Sequence, residues 1–153
     1  PDTMMGNLIN QLLPNGVIKL GLYSRIARTQ ITAFRAENPM VNDVHEARQI
    51  VLNDTDRYDQ VIRSPDFWHT SGVHDLLLNR FERQYNLLEV QRLLCQHGCE
   101  FINFAGIANE HHHQVAKMFN ENQQTLLETW HQYESEHPQL FAGMYQMYIK
   151  PTR

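Results

Sequence analysis

The sequence predicts an α/β fold, on three observations. A largely apolar run from Val17 to Tyr23 follows a turn cluster and ends at the small polar Ser24. Two later aromatic and aliphatic runs, 100–105 and 141–149, share its strand-like length. The stretches between them carry apolar residues at three- and four-residue spacing, the signature of helices with one buried face. Few strands separated by helices is the pattern of an α/β sheet, and the first run, bounded by turn residues, suits a strand covered on both faces.

Residues 4–13 form a first helix, with Met5, Leu8, Ile9, Leu12 and Leu13 at helical spacing. Pro14-Asn15-Gly16 stops it, because proline cannot extend the hydrogen-bond ladder and glycine relaxes the turn. The strand over 17–23 comes next. Ser24 then serves as N-cap of a helix through Phe34, on which Ala27, Ile31 and Phe34 share a face. Asn38-Pro39 breaks that helix. Asp43 opens another, with Val44, Ala47, Ile50 and Val51 as its stripe, and Tyr58, Val61 and Ile62 mark a short helix before Ser64-Pro65. From Asp66 to Asp75 no period holds, and the segment reads as an aromatic, polar loop. Leu76–Leu78 runs on through Phe81 to Tyr85 as the start of a helix. Leu87, Val90, Leu93 and Leu94 define a helix from Asn86 to Gly98. A strand over 100–105, a turn at Gly106, and a polar helix with Val115, Met118 and Phe119 follow. Thr125 and Glu128 form a capping box for a helix ended by His137-Pro138, and 141–149 is the last strand.

With 153 residues, 42% of them hydrophobic, the chain can build one domain with a real core. Its net charge of -4 speaks against general nucleic-acid binding or an anionic membrane surface, both of which call for a basic face. No apolar run approaches a membrane span, and Cys95 and Cys99 make no disulfide framework, so a cytoplasmic setting is expected. The chain opens on Pro1 and is expected to be a piece of a longer protein.

Candidate chemistry falls at two places. In open α/β sheets ligands sit beyond the carboxyl ends of the strands, which singles out Tyr23 and Ser24 for substrate binding. The irregular segment that would cover that strand end holds Trp68, a stacking face for substrate, and His69 beside it. It also holds His74 and Asp75, a histidine with a neighbouring carboxylate that would fix its tautomer and make it a general base. The plainer reading is an aromatic lid packed over a core, with surface histidines and Ser24 acting only as a cap. His111-His112-His113 does not predict a metal site. Successive helical residues diverge by about 100°, so three in a row cannot converge on one ion. Cys95-x-His97-x-Cys99 lacks a second pair of zinc-ligand spacing, so no metal is expected.

Leu13-Pro14-Asn15-Gly16, the turn His97-Gly98-Cys99-Glu100-Phe101 and the last strand resemble the C-terminal half of a class I S-adenosylmethionine-dependent methyltransferase domain. In that fold a Leu-x-Pro-Gly-Gly turn precedes the fifth strand, a Gly-Phe turn the sixth, and the seventh runs antiparallel to the rest. More narrowly, the chain is similar to bacterial methyltransferase domains fused to tetratricopeptide repeats. Their pattern G-L-Y-S-x-x-A-R is met by residues 21–28, and D-F-Y-x-x-S-x-x-x-D-L-L-F-H-x-x-E in part by Asp66-Phe67-Trp68, Ser71, Asp75-Leu76-Leu77 and Glu82. F-x-G-M-Y-Q is met by residues 141–146, while Leu78 and Asn79 stand where the pattern has Phe and His.

The resemblance implies one domain part over 1–153. Strand five would span 17–23, a helical insertion 24–63, a lid loop and helix start 64–85, and the closing helices with strands six and seven 86–149. It implies S-adenosylmethionine as cofactor of the intact protein and an unidentified methyl acceptor. The glycine-rich turn and the acidic strand end that would hold the cofactor are missing, so this segment alone is not expected to bind it. The implied partner is the N-terminal half of the same domain, and self-association into a homo-oligomer stays open. The rival readings are a non-catalytic helical interaction or oligomerisation module, and a degenerate methyltransferase-fold scaffold.

Overall fold

A computed structural model describes residues 2–13, 15–121 and 124–152. It is an α/β structure whose chain divides into two compact units, Pro1–Ile26 with Gln84–Arg153, and Ala27–Arg83. Pro14, part of the expected turn, lies outside the described residues.

The first unit opens with helix α1 (Asp2–Asn10) and strand β1 (Ile18–Ser24). The second unit holds α2 (Thr29–Glu37), α3 (Val44–Asn53), α4 (Asp59–Arg63), a 3-10 turn over Pro65–Trp68, the short α5 (Thr70–Val73) and a π-helical turn over His74–Leu78. The first unit resumes with β2 (Gln84–Tyr85), α6 (Leu87–Gln96), β3 (Cys99–Phe104), α7 (Asn109–Glu121), α8 (Leu126–Glu136) and β4 (Tyr145–Pro151). Among the described residues, no helix is long and apolar enough to cross a membrane.

The four strands form one mixed sheet in the order β2-β1-β4-β3. β2 is parallel to β1, with Tyr23 opposite Gln84 and Ser24 opposite Tyr85. β4 is antiparallel to both its neighbours, with Leu20 opposite Met147 and Leu22 opposite Tyr145, so β1 and β3 point the same way. The period of two sorts the faces. Tyr145, Met147 and Ile149 are buried, and Ile18, Leu20 and Leu22 pack beside them. Gln146, Tyr148 and Lys150 face outward, as do Lys19 and Gly21. β1 is therefore covered on one face among the described residues, not on both as its apolar run suggested. The core on that face draws on Leu87, Val90 and Leu94 of α6, Val115 of α7, and Leu127, Trp130 and Tyr133 of α8. The helix starts that matter are capped as expected. Asn86 accepts from Glu89 N–H and Glu89 answers to the Asn86 N–H, and Thr125 with Glu128 repeats the device.

The second unit folds around its own core of Phe34, Ala47, Val51, Val61, Phe67, Val73 and Leu77. Asp43 caps α3 by accepting from Glu46 N–H, as its position ahead of the apolar stripe predicts.

Several expectations are corrected. Ser24 does not cap the next helix: it ends β1, and α2 starts at Thr29 after a turn through Arg28. The lid loop over 64–85 is helical over Pro65–Trp68, Thr70–Val73 and His74–Leu78, with His69 extended between the first two, and Phe67 and Val73 are fully buried. It showed no period because 3-10, α and π turns follow one another, each with its own pitch. No helix starts over 79–85. That stretch ends in β2, too short to show alternation. The expected boundary between a helical insertion at 24–63 and a lid at 64–85 falls inside one compact unit, because Phe67, Val73 and Leu77 share a core with α2 and α3. The last strand begins at Tyr145, not 141, because Phe141 packs into the core from the preceding turn, against Phe104, Trp130 and Tyr145.

Candidate functional site

In the first unit the carboxyl end of β1 carries a buried polar knot. β1 delivers Ser24 there, β4 delivers Tyr145 from the position opposite Leu22, and α8 delivers Glu134. Ser24 Oγ–H donates to Glu134 Oε1 at 2.5 Å. Tyr145 O–H donates to the same carboxyl group, 2.9 Å from Oε1 and 2.7 Å from Oε2. Glu134 and Tyr145 are wholly enclosed and Ser24 nearly so. Burial pushes the Glu134 carboxyl above the usual carboxylate range, and the hydrogen bonds from Ser24 and Tyr145 pull it part of the way back. Burial, and then the Glu134 charge, push the Tyr145 phenol upward. A carboxyl group so enclosed fixes the end of β1 against β4 and α8; it does not reach a substrate.

Beside the knot, Arg25 donates to both oxygens of Glu89, at 2.9 and 2.8 Å. The backbone hydrogen bond at Asn86, ahead of the Arg25 guanidinium, holds the Glu89 carboxyl below its ordinary range. Tyr23, half-buried, is the neighbouring position on β1, in register with Gln84 of β2.

Trp68, His69, His74 and Asp75 belong to the second unit. Trp68 is 60% exposed, with Nε1–H donating to the Ile62 carbonyl and its ring edge-on to Phe67 at 5.3 Å. His69 is exposed and precedes α5 at its N-cap position. His74 and Asp75 open the π-helical turn, a geometry found often at functional positions. His74 borders two open concavities. One, of about 420 Å³, also involves Met40 and Arg80; the other, of about 300 Å³, involves Asp75 and Phe81. The Asp75 carboxylate accepts from Asn79 Nδ2 at 3.1 Å, so the hydrogen bond expected to orient His74 goes to Asn79.

The six candidates thus fall on two units: Tyr23 and Ser24 together on the first, the other four close in sequence on the second. Sequence reasoning missed Glu134 and Tyr145 as partners of Ser24, because nothing local marks a contact 110 residues apart. It also missed a buried charge cluster in the second unit. Glu82, its side chain 3% exposed, lies 3.8 Å from Arg28 Nε and 3.4 Å from Arg35. No family model and no curated protein sequence matches the chain.

Proposed function

We propose that the chain is the acceptor-side part of a class I methyltransferase domain, which transfers a methyl group from S-adenosylmethionine once the cofactor-binding half is joined to it. The observation that supports this reading most is the arrangement of the sheet. β1 and β3 run in one direction with the final strand between them and antiparallel to both, as the fifth, sixth and seventh strands would require. Among the described residues, the outer edge of β1 is paired only at Tyr23 and Ser24, leaving Ile18–Leu22 open to a further strand. The glycines do not fit a cofactor cradle. A Cβ on Gly21 would lie 3.0 Å from Met144 Sδ, so Gly21 serves strand packing. Gly106 is an isolated turn residue with φ 75° and no glycine-rich partner. In the first unit Tyr23 on β1 is the candidate for the acceptor, while Ser24 holds the strand end; in the helical unit, taken by itself, the candidates are Trp68, His69, His74 and Asp75.

One observation favours the degenerate-scaffold reading. Asn79 stands where the resembling family has histidine, and it keeps the hydrogen bond to Asp75 while its amide cannot take a proton. Calorimetry and radiolabelled methyl transfer separate the readings. This chain alone should show no S-adenosylmethionine binding, and the gene product carrying the upstream residues should bind it and transfer the label. Micromolar binding by this chain alone overturns the assignment of the cofactor site to the other half of the domain, and no binding by the longer product overturns the enzyme reading. In an active product, Tyr23→Phe and His74→Ala should lower turnover or acceptor affinity and spare cofactor binding.

A further inference from the structure

We propose that Arg35 is a positioning residue for the acceptor candidates of the second unit: its guanidinium holds the π-helical turn that presents His74 and Asp75. The proposal rests on the assignment of those two residues to the methyl acceptor, and every group it uses lies in the second unit.

The turn needs donors from outside itself. Carbonyls in the last turn of a helix have no intrahelical partner. α5 runs directly into His74–Leu78, and Asn79 leaves the turn with extended backbone (φ -73°, ψ 101°), so no left-handed cap closes its end. Leu76 and Leu77 are buried, where a carbonyl left without a donor is costly. Arg35, in the last turn of α2, supplies both donors. Its Nη2–H donates to the Leu76 carbonyl at 2.9 Å and its Nε–H to the Leu77 carbonyl at 3.3 Å. The Glu82 carboxylate, 3.4 Å from the same Nη2, balances the enclosed charge and is shared with Arg28.

The contact is returned from the other side. Arg80, just beyond the turn, donates to the Asn38 and Val41 carbonyls just beyond α2, each at 3.3 Å. Two guanidinium groups thus tie the end of α2 and the end of the turn to each other. Arg80 also borders both concavities that His74 borders.

His74 and Asp75 stand at the opposite end of the same five-residue turn. A shift at the Leu76 and Leu77 carbonyls therefore carries both with it, together with the Asn79 amide that donates to Asp75. Misplacement by about 1 Å is enough to slow a reaction on the order of 100-fold. Lysine cannot do the same work, because one ammonium lacks the planar fork that reaches two carbonyls and a carboxylate at fixed angles.

Arg35→Lys keeps the charge beside Glu82 and removes the fork, so it separates positioning from folding. In ¹H–¹⁵N spectra of the whole chain it should shift the backbone amides of His74–Leu78 and the Asn79 side-chain amide, and speed hydrogen exchange in the turn on the order of tenfold. The Val51 and Val61 methyl signals, from the core of the same unit, should stay in place. Arg48→Lys is the control: Arg48 donates to the Phe67 carbonyl at 3.2 Å, outside the turn, and its loss should leave the His74–Leu78 amides where they are. In the longer product, Arg35→Lys should lower kcat on the order of 10- to 100-fold, with acceptor KM and S-adenosylmethionine affinity each within about threefold of the parent. Unmoved turn signals, equal movement of Val51 and Val61, or an unchanged kcat overturns the role of Arg35. A parent product that transfers no methyl group overturns the acceptor assignment itself.

Discussion

Removing the Ser24 hydroxyl should destabilise the first unit by an amount that grows with pH. Glu134 has no solvent to turn to, so each donor it loses is uncompensated. While the carboxyl group is protonated, Ser24→Ala removes a neutral hydrogen bond, worth about 0.5–1.5 kcal/mol. Once it ionises, the same substitution removes a charge-assisted one, worth about 1.5–3 kcal/mol. The sign follows from linkage. Burial raises the Glu134 carboxyl in the folded state, so the native protein binds this proton more tightly than the unfolded chain. The stability it contributes is present in full below the unfolded value and is lost as pH rises through the folded one. Ser24→Ala, by deleting a bond that lowers the folded value, extends that loss to higher pH. Urea unfolding between about pH 5 and pH 8 measures it. A Trp68→Phe background leaves Trp130, buried in the first unit, as sole reporter. The difference between parent and Ser24→Ala should widen by about 1 kcal/mol across that range, and Glu134→Gln should remove the pH dependence of the difference. A constant difference, or one that narrows as pH rises, refutes the assigned protonation behaviour of Glu134.

In the second unit, Glu82→Ala leaves the guanidinium groups of Arg28 and Arg35 without the carboxylate between them, and should cost about 3–5 kcal/mol in thermal unfolding. Gly72→Ala places a Cβ 2.2 Å from the Asp66 carbonyl oxygen, and should lower the melting temperature through a loss of about 1–3 kcal/mol. Asn86→Ala breaks the capping box of α6 and should cost about 1 kcal/mol by urea unfolding. In an active longer product, Asn79→His should raise turnover at neutral pH if Asp75 serves a proton-accepting pair, and steady-state kinetics will show whether it does.

Elements with a local cause were legible in the sequence. α3 was marked by Asp43 and its stripe, α6 by its apolar spacing and Gly98, and α8 by Thr125 and Glu128. Elements defined by distant partners were not. β2 exists because Gln84 and Tyr85 meet the end of β1, and two residues carry no periodicity. The turns from Pro65 to Leu78 are held by Phe67, Val73 and Leu77 in the second unit's core, and by the close passage of Gly72 over Asp66. The candidate site divides the same way. His74 and Asp75 were singled out by residue type alone and are exposed, whereas Glu134 looked like one more polar residue on a surface helix until Ser24 and Tyr145 enclosed it.

The strings that make the sequence distinctive meet one another. Gly21 and Leu22 of the first string lie opposite Gln146 and Tyr145 of the last, and Gly21 is small where Met144 passes. Ser24 and Tyr145 share Glu134. Arg28, which closes the first string, faces Glu82, which closes the middle one. These residues are matched because each removes a void, a buried charge or an unpaired hydroxyl created by the other, and such pairs are needed whether or not the protein catalyses anything. The strings therefore testify to the fold more strongly than to the chemistry. Chemistry rests on matched positions that the fold does not require. Asp75 is the clearest of these: it is exposed, it sits on a π-helical turn, and its carboxylate accepts a hydrogen bond from Asn79, where the resembling pattern has histidine. On the proposed methyltransferase reading, the proton-accepting capacity of residue 79 is the point at which an active transferase and a retained scaffold would part.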